Sequence, residues 1–162
     1  MTIGAQFLPE FDEEMATTRR LLERVPSERG EWKPHAKSFS LGHLSQLVAR
    51  MPAWITNIVR ETKLDLSAGP PYSQETTTAL LAEFDRNVAS AKLALTATSD
   101  AGFQVPWSLT MGDRVLMTMP RVAVVRQTIN HLIHHRGQLT VYLRLVDVPL
   151  PSIYGPTADE GW

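Results

Sequence analysis

The chain has 162 residues, 43% hydrophobic and 20% charged, which suits one domain over 1–162 with a sizeable single core. Its 16 basic and 17 acidic residues leave a formal charge of −1 and no electrostatic footprint for nucleic acid; the absence of cysteine excludes disulfides, thiolate metal sites and cysteine nucleophiles. The N-terminus turns acidic at once with no leader-like pattern, and no apolar run approaches the ~20 residues of a membrane span, so the expectation is a cytoplasmic protein that meets neither nucleic acid nor membrane.

Four segments carry helical periodicity. The first runs from about Ile3 to Val25, with Phe7, Phe11, Met15, Leu21 and Leu22 on or near one stripe and Pro26 ending it. A loop with Pro34 follows. Ser40 is a good N-cap for the second helix, which reaches about Lys63 with Leu44, Leu47, Val48, Met51, Trp54, Ile55 and Ile58 on its stripe; Pro52 inside it is expected to kink the helix or cost one backbone bond. "DLSAGPPYSQ" breaks the pattern. Ser73 is the expected cap of a third helix, about Gln74 to Ala97, with Leu80, Leu81, Phe84, Val88, Ala91 and Leu95 inward. In "VPWSLTMGDRVLMTMP" a turn-like centre separates two short apolar runs, which predicts a β-hairpin or extended connection. Pro120 opens the fourth helix, which runs to about Val146. The tail, with Ile153, Tyr154 and Trp162, is expected to lie ordered on the body. These elements predict an all-α protein, an antiparallel up-down four-helix bundle with a short β-hairpin-like insert before the last helix.

The fourth helix carries "NHLIHHRGQ". On a helical wheel His131 and His135 stack about one turn apart at the edge of the buried face, and His134 points away. An His-x-x-x-His pair on a helix has metal-chelating spacing, although one core histidine with surface neighbours would look the same. His43, in the first turn of the second helix, also falls at the edge of its stripe. His43, His131 and His135 would supply three imidazoles from facing helices and leave a position open for water, as in a catalytic site. Such a set suits Zn, Ni or Fe(II), and a bound water would be acidified. His35 is expected on the surface. Arg136 turns toward the core and needs a partner, for which Asp12, Glu13 and Glu14 are candidates. Gly137 in mid-helix suggests close approach of another backbone. Gln138 lies beside the histidine edge, either orienting a ligand or facing solvent.

The segments "LGHLSQLVARMPAWI", "INHLIHHRGQLTVYLRLVDVPLP" and "SIYGPTADE" together resemble the DinB/YfiT-like metalloenzyme family, and the resemblance spans nearly the whole chain. It implies a helical bundle in which His43, His131 and His135 bind a divalent metal. It further implies a possible low-molecular-weight thiol cofactor, held by the metal as thiolate, since the chain has no cysteine of its own. The function expected is that of a metal-dependent enzyme, a thiol-dependent transferase or hydrolase acting on a small molecule. The alternative is a non-catalytic bundle that binds a small ligand or carries a structural metal. Met51, Trp54, Trp107 and Met111 lie near the expected site, where plain core or hairpin packing is a commoner explanation than a substrate pocket; no general acid or base stands out, with Asp113 in a turn and Asp147 after the last helix. A homodimer with the metal site inside each subunit is expected, with Phe11 and Phe84 serving either core or interface.

Overall fold

The structure, a computed structural model, describes residues 1–69, 71–73 and 76–161. Its elements are α1 (Ile3–Leu22), α2 (Leu41–Arg60), β1 (Lys63–Asp65), α3 (Thr77–Ala97), α4 (Asp100–Gln104), β2 (Pro106–Met111), β3 (Arg114–Pro120) and α5 (Arg121–Leu145), with short 3-10 turns at Ser27–Arg29 and Leu66–Ala68. The protein is mostly helical with a small three-stranded sheet.

Four helix starts are fixed by a hydroxyl that satisfies an otherwise orphaned N–H. Thr2 accepts from Ala5 N, Ser40 from His43 N, Thr76 from Ala79 N and Ser99 from Gly102 N. Thr76 therefore caps α3, not Ser73, whose N–H instead donates to Gln46 Oε1 on α2 at 2.9 Å. The expected start at Gln74 lies outside the described residues. α2 runs unbroken through Pro52, and Pro120 is the residue before α5 instead of part of its first turn.

Side-chain pairings give the helix directions. α1 meets α3 through Arg19–Asp85 and Lys92–Asp12, which is antiparallel. α2 meets α3 through Arg50–Glu83 and Thr56–Ser90, which is parallel. Glu10–Arg126 and Glu14–Arg136 make α1 and α5 parallel, whereas Arg121 bonding Glu61 O and Trp54 facing His131 make α2 and α5 antiparallel. The simple up-down order expected from the sequence is thus corrected. Between α2 and α3 the chain returns along the body through β1 and a 3-10 turn, long enough to set the two helices side by side in the same direction.

β1 pairs in parallel with β2 (Lys63↔Ser108, Leu64↔Leu109, Asp65↔Thr110), and β2 pairs antiparallel with β3, the chain reversing at Gly112 with φ 57°. Trp107 points from β2 into the core and donates its indole N–H to Asn57 Oδ1 on α2 at 3.1 Å. Phe103 of α4, wholly buried, packs on Phe7 with ring centroids 6.0 Å apart. Phe11 and Phe84 are core residues of this single chain, so neither is free to form an interface. The tail is tied to the body by Tyr154 between Glu14 and Arg136, by Arg144–Asp159 and by Arg20–Glu160; Trp162 lies outside the described residues. Among the described residues no helix is long and apolar enough to cross a membrane.

Candidate functional site

His131 and His135 stand together on α5, their Nε2 atoms 2.9 Å apart. His135 is 9% exposed and His131 is exposed. Gln138, one turn further on, accepts a hydrogen bond from His135 Nδ1 at 2.7 Å through its Oε1. A carbonyl oxygen only accepts, so Nδ1 carries the proton and, in the neutral ring, Nε2 presents its lone pair toward His131. Two nitrogens bound to one Zn at about 2.0–2.1 Å stand roughly 3.0–3.4 Å apart, so the pair is already spaced close to what one ion requires. Gln138 is the partner that sets ring orientation and tautomer.

Burial pushes the His131 imidazole below the usual histidine range, and its neighbours His135 and His134 push the same way. Burial also lowers His135, while the Gln138 hydrogen bond pulls it back up. Both rings thus favour the neutral form in which imidazole binds metal. His134 is exposed, its ring edge-on to His135 at 5.1 Å.

His43 is half-buried in the first turn of α2, its ring stacked between Phe39 (4.2 Å) and Tyr72 (4.0 Å). Burial, with Lys33 and Arg50 nearby, lowers its pKa as well. Among the described residues no group of three His, Asp or Glu stands close enough to hold a metal. The structure therefore assembles two of the three expected ligands and holds the third in an aromatic stack. His35 is exposed, its Nδ1 accepting from Lys37 N at 3.1 Å.

Two cavities flank Trp54, whose ring faces His131 at 5.8 Å. The smaller, about 220 Å³, is walled by Trp54, Trp107, Leu109 and Met117 and reaches His131 and Gln127. The larger, about 520 Å³, lies between α2, α3 and the residues Leu64, Asp65, Leu66, Gly69 and Tyr72. Trp54 and Trp107 thus line cavities as well as packing the interior. Met51 is wholly buried and borders neither of the two cavities, and Met111 is exposed on the sheet.

Arg136 is 1% exposed and finds its partner in Glu14, at 2.6 Å. Its guanidinium also donates to Glu14 O, Thr18 Oγ1 and the Tyr154 hydroxyl. Gly137 has no atom within 4 Å of where a Cβ would stand, so the expected close approach does not occur there. The tight approach is at Gly4, where a Cβ would meet Leu95 O at 2.3 Å. Sequence reasoning missed the charged wall of the larger cavity, Arg50 and Glu83. The parallel setting of α2 and α3 that joins them is a tertiary fact, which no local sequence pattern carries.

A mostly helical domain that sets a histidine pair beside an aromatic-walled cavity defines the class of protein. The chain belongs to the DinB family, whose model matches residues 1–161. It is 26% identical over 159 residues to the uncharacterized protein YrdA of Bacillus subtilis, covering 95% of this chain and 89% of that one. Solved structures share the fold. A DinB-like protein from Bacillus cereus has TM-score 0.71 and 20% identity over 91% of this chain and 95% of its own. The DinB-like protein YjoA from Bacillus subtilis has TM-score 0.70 and 18% identity over 96% and 99%. A mycothiol-dependent maleylpyruvate isomerase has TM-score 0.64 and 17% identity, with 86% of this chain covering 63% of that one.

Proposed function

We propose that the protein is a metal-dependent enzyme, a thiol-dependent transferase or hydrolase, whose divalent ion is held by His131, His135 and His43. The observation that carries this reading is the pair of imidazoles facing each other through Nε2 at 2.9 Å, with His135 oriented from behind by Gln138. Counting from the Arg121–Glu61 contact, His43 lies about 27 Å along α2 and His135 about 21 Å along α5, one helical turn apart in height. To join the pair on one ion, the His43 ring would have to leave its stack with Phe39 and Tyr72. The ion would be Zn, Ni or Fe(II), and when bound it would acidify a water or a thiol at its open position. The chain's own residues supply the rest. Trp54 and Trp107 wall the cavity that reaches His131 and would offer a flat apolar surface to a small substrate. The fold shared with a mycothiol-dependent isomerase supports a thiol from outside the chain, which has no cysteine.

Elemental analysis of protein prepared without an affinity tag is the test. One equivalent of a divalent metal is expected, lost in the His131→Ala/His135→Ala double variant and reduced in His43→Ala. Full metal binding by the double variant would overturn the assignment. Activity screens with and without added thiol then separate transferase from hydrolase.

A further inference from the structure

The larger cavity carries a pattern that the histidine pair does not explain. Six polar side chains line it, and four of them, Asn57, Asn87, Glu83 and Arg50, on the facing turns of α2 and α3, each spend one end on the protein while the other end has no partner among the described residues. Asn57 accepts from the Trp107 indole through Oδ1, leaving its amide N–H groups. Asn87 donates through Nδ2 to Ala49 O at 3.0 Å, leaving its carbonyl oxygen. Glu83 accepts through Oε1 from Arg50 Nε at 3.0 Å, leaving Oε2. Arg50 donates from Nε to Glu83 and from Nη1 to Pro71 O, and lies over the Tyr72 ring at 5.1 Å, leaving Nη2. The wall therefore offers two fixed donor groups, Arg50 and Asn57, and two fixed acceptors, Glu83 and Asn87. Arg50 and Glu83 are charged, and Asp65, its Oδ1 held by Ser67 and Gly112, adds a second carboxylate to the lining on the acceptor side. Trp54 and Leu66 add an apolar surface. A volume of about 520 Å³ is that of a small-molecule site.

We infer that this cavity binds a small zwitterion, a ligand with a carboxylate for Arg50 and Asn57, an ammonium for Glu83 and Asn87, and an apolar side chain against Trp54 and Leu66. Arg50 and Glu83 are only 18% and 25% exposed, so their pairing is partly shielded from solvent. They are also held from behind, so little side-chain freedom is lost on binding. A ligand of one charge alone would sit beside a like charge, a carboxylate beside Glu83 or an ammonium beside Arg50. A zwitterion extends the alternation of the existing pair. The site needs no metal, and none of the groups assigned to the ligand is one of the three histidines of the function proposed above.

The test uses L-phenylalanine as probe, with N-acetyl-L-phenylalanine lacking the ammonium and L-phenylalanine amide lacking the carboxylate. Binding to the full chain is read by calorimetry and by tryptophan fluorescence, since Trp54 lines the cavity. Saturable millimolar or tighter binding of phenylalanine is expected, with both analogues weaker by roughly tenfold or more. Glu83→Gln should weaken phenylalanine and leave the N-acetyl analogue unchanged. Asn87→Leu, which alters no charge, should weaken phenylalanine as well, and unfolding of either variant is checked by circular dichroism. The His131→Ala/His135→Ala variant should bind the probe like the parent chain. No saturable binding of phenylalanine, equal binding of the three probes, or a folded Glu83→Gln protein that binds phenylalanine unchanged would overturn the inference. Loss of probe binding in the histidine variant would also overturn it, by placing the probe at the histidine pair.

Discussion

Gln138 is exposed on α5, yet its carbonyl oxygen decides which nitrogen of His135 carries the proton. With the proton on Nδ1, the Nε2 lone pair turns toward His131. Removing that acceptor should lower metal affinity by about 10–100-fold without unfolding the chain. Gln138→Leu is the variant and metal-competition titration the readout; unchanged affinity would assign Gln138 to solvent. His134→Ala, removing an exposed ring from the same helix, should leave metal content near that of the parent. The free imidazoles also give a pH signature. His43, His131 and His135 all have native pKa values below the ordinary histidine value, burial being the first cause in each. The unfolded chain then binds more protons in that window, so stability rises with pH through it. The contribution is complete above about pH 6.5 and is lost as pH falls through the native values. Urea unfolding of metal-free protein at about pH 5.5 and about pH 7.5 should show a smaller difference for His131→Gln/His135→Gln than for the parent chain. An equal difference would mean that other groups set the slope.

At the scale of elements, the two glycines that matter behave oppositely. Gly4 on α1 lies where a Cβ would stand 2.3 Å from Leu95 O on α3, so Gly4→Ala must push apart two packed backbones, at a cost of about 1–3 kcal/mol. Gly137 has open space, and Gly137→Ala should stabilise the helix by about 0.4–1 kcal/mol. Thermal unfolding of the two variants should move in opposite directions; a loss at Gly137 would mean that the glycine serves a motion of α5. The sequence offered no means of ranking these two positions, because close approach depends on which backbone lies opposite. Long amphipathic stripes were legible for the same reason that they fold. The cores of α1, α2 and α3 need one continuous apolar face, and residues such as Phe11, Met51 and Phe84 announce it by spacing alone. α4 and β1 were not legible, being five and three residues long and defined by packing of Phe103 and by pairing with β2. His131 and His135 were legible as neighbours because they share a helix. Whether His43 converges on them is set by the relative rotation of α2 and α5, which no local pattern records.

Over the whole molecule, the tail and the histidine helix are joined through one buried ion pair. Arg136 follows His135 directly, and its guanidinium reaches across to α1 and out to the tail. Tyr154 completes the ring, donating its hydroxyl to Glu14 Oε1 at 2.7 Å while accepting from Arg136 Nη2 at 2.8 Å. Glu14 Oε2 is 2.6 Å from Arg136 Nη1 yet is not aligned as a hydrogen bond, so that contact acts through charge. Removing the carboxylate would leave a buried cation with only neutral acceptors, Glu14 O and Thr18 Oγ1, beside the Tyr154 hydroxyl. Glu14→Gln should therefore cost about 3 kcal/mol, at the low end for breaking a buried pair because those acceptors remain. Tyr154→Phe removes only the bridging hydroxyl, about 1 kcal/mol, but should free the tail, whose other ties to the body include the more exposed pairs Arg20–Glu160 and Arg144–Asp159. Denaturant unfolding measures the first effect and limited proteolysis at residues 150–160 the second. Tyr154→Phe with an unchanged cleavage rate would show that the exposed pairs alone hold the tail, and Arg136 would then act only between α1 and α5.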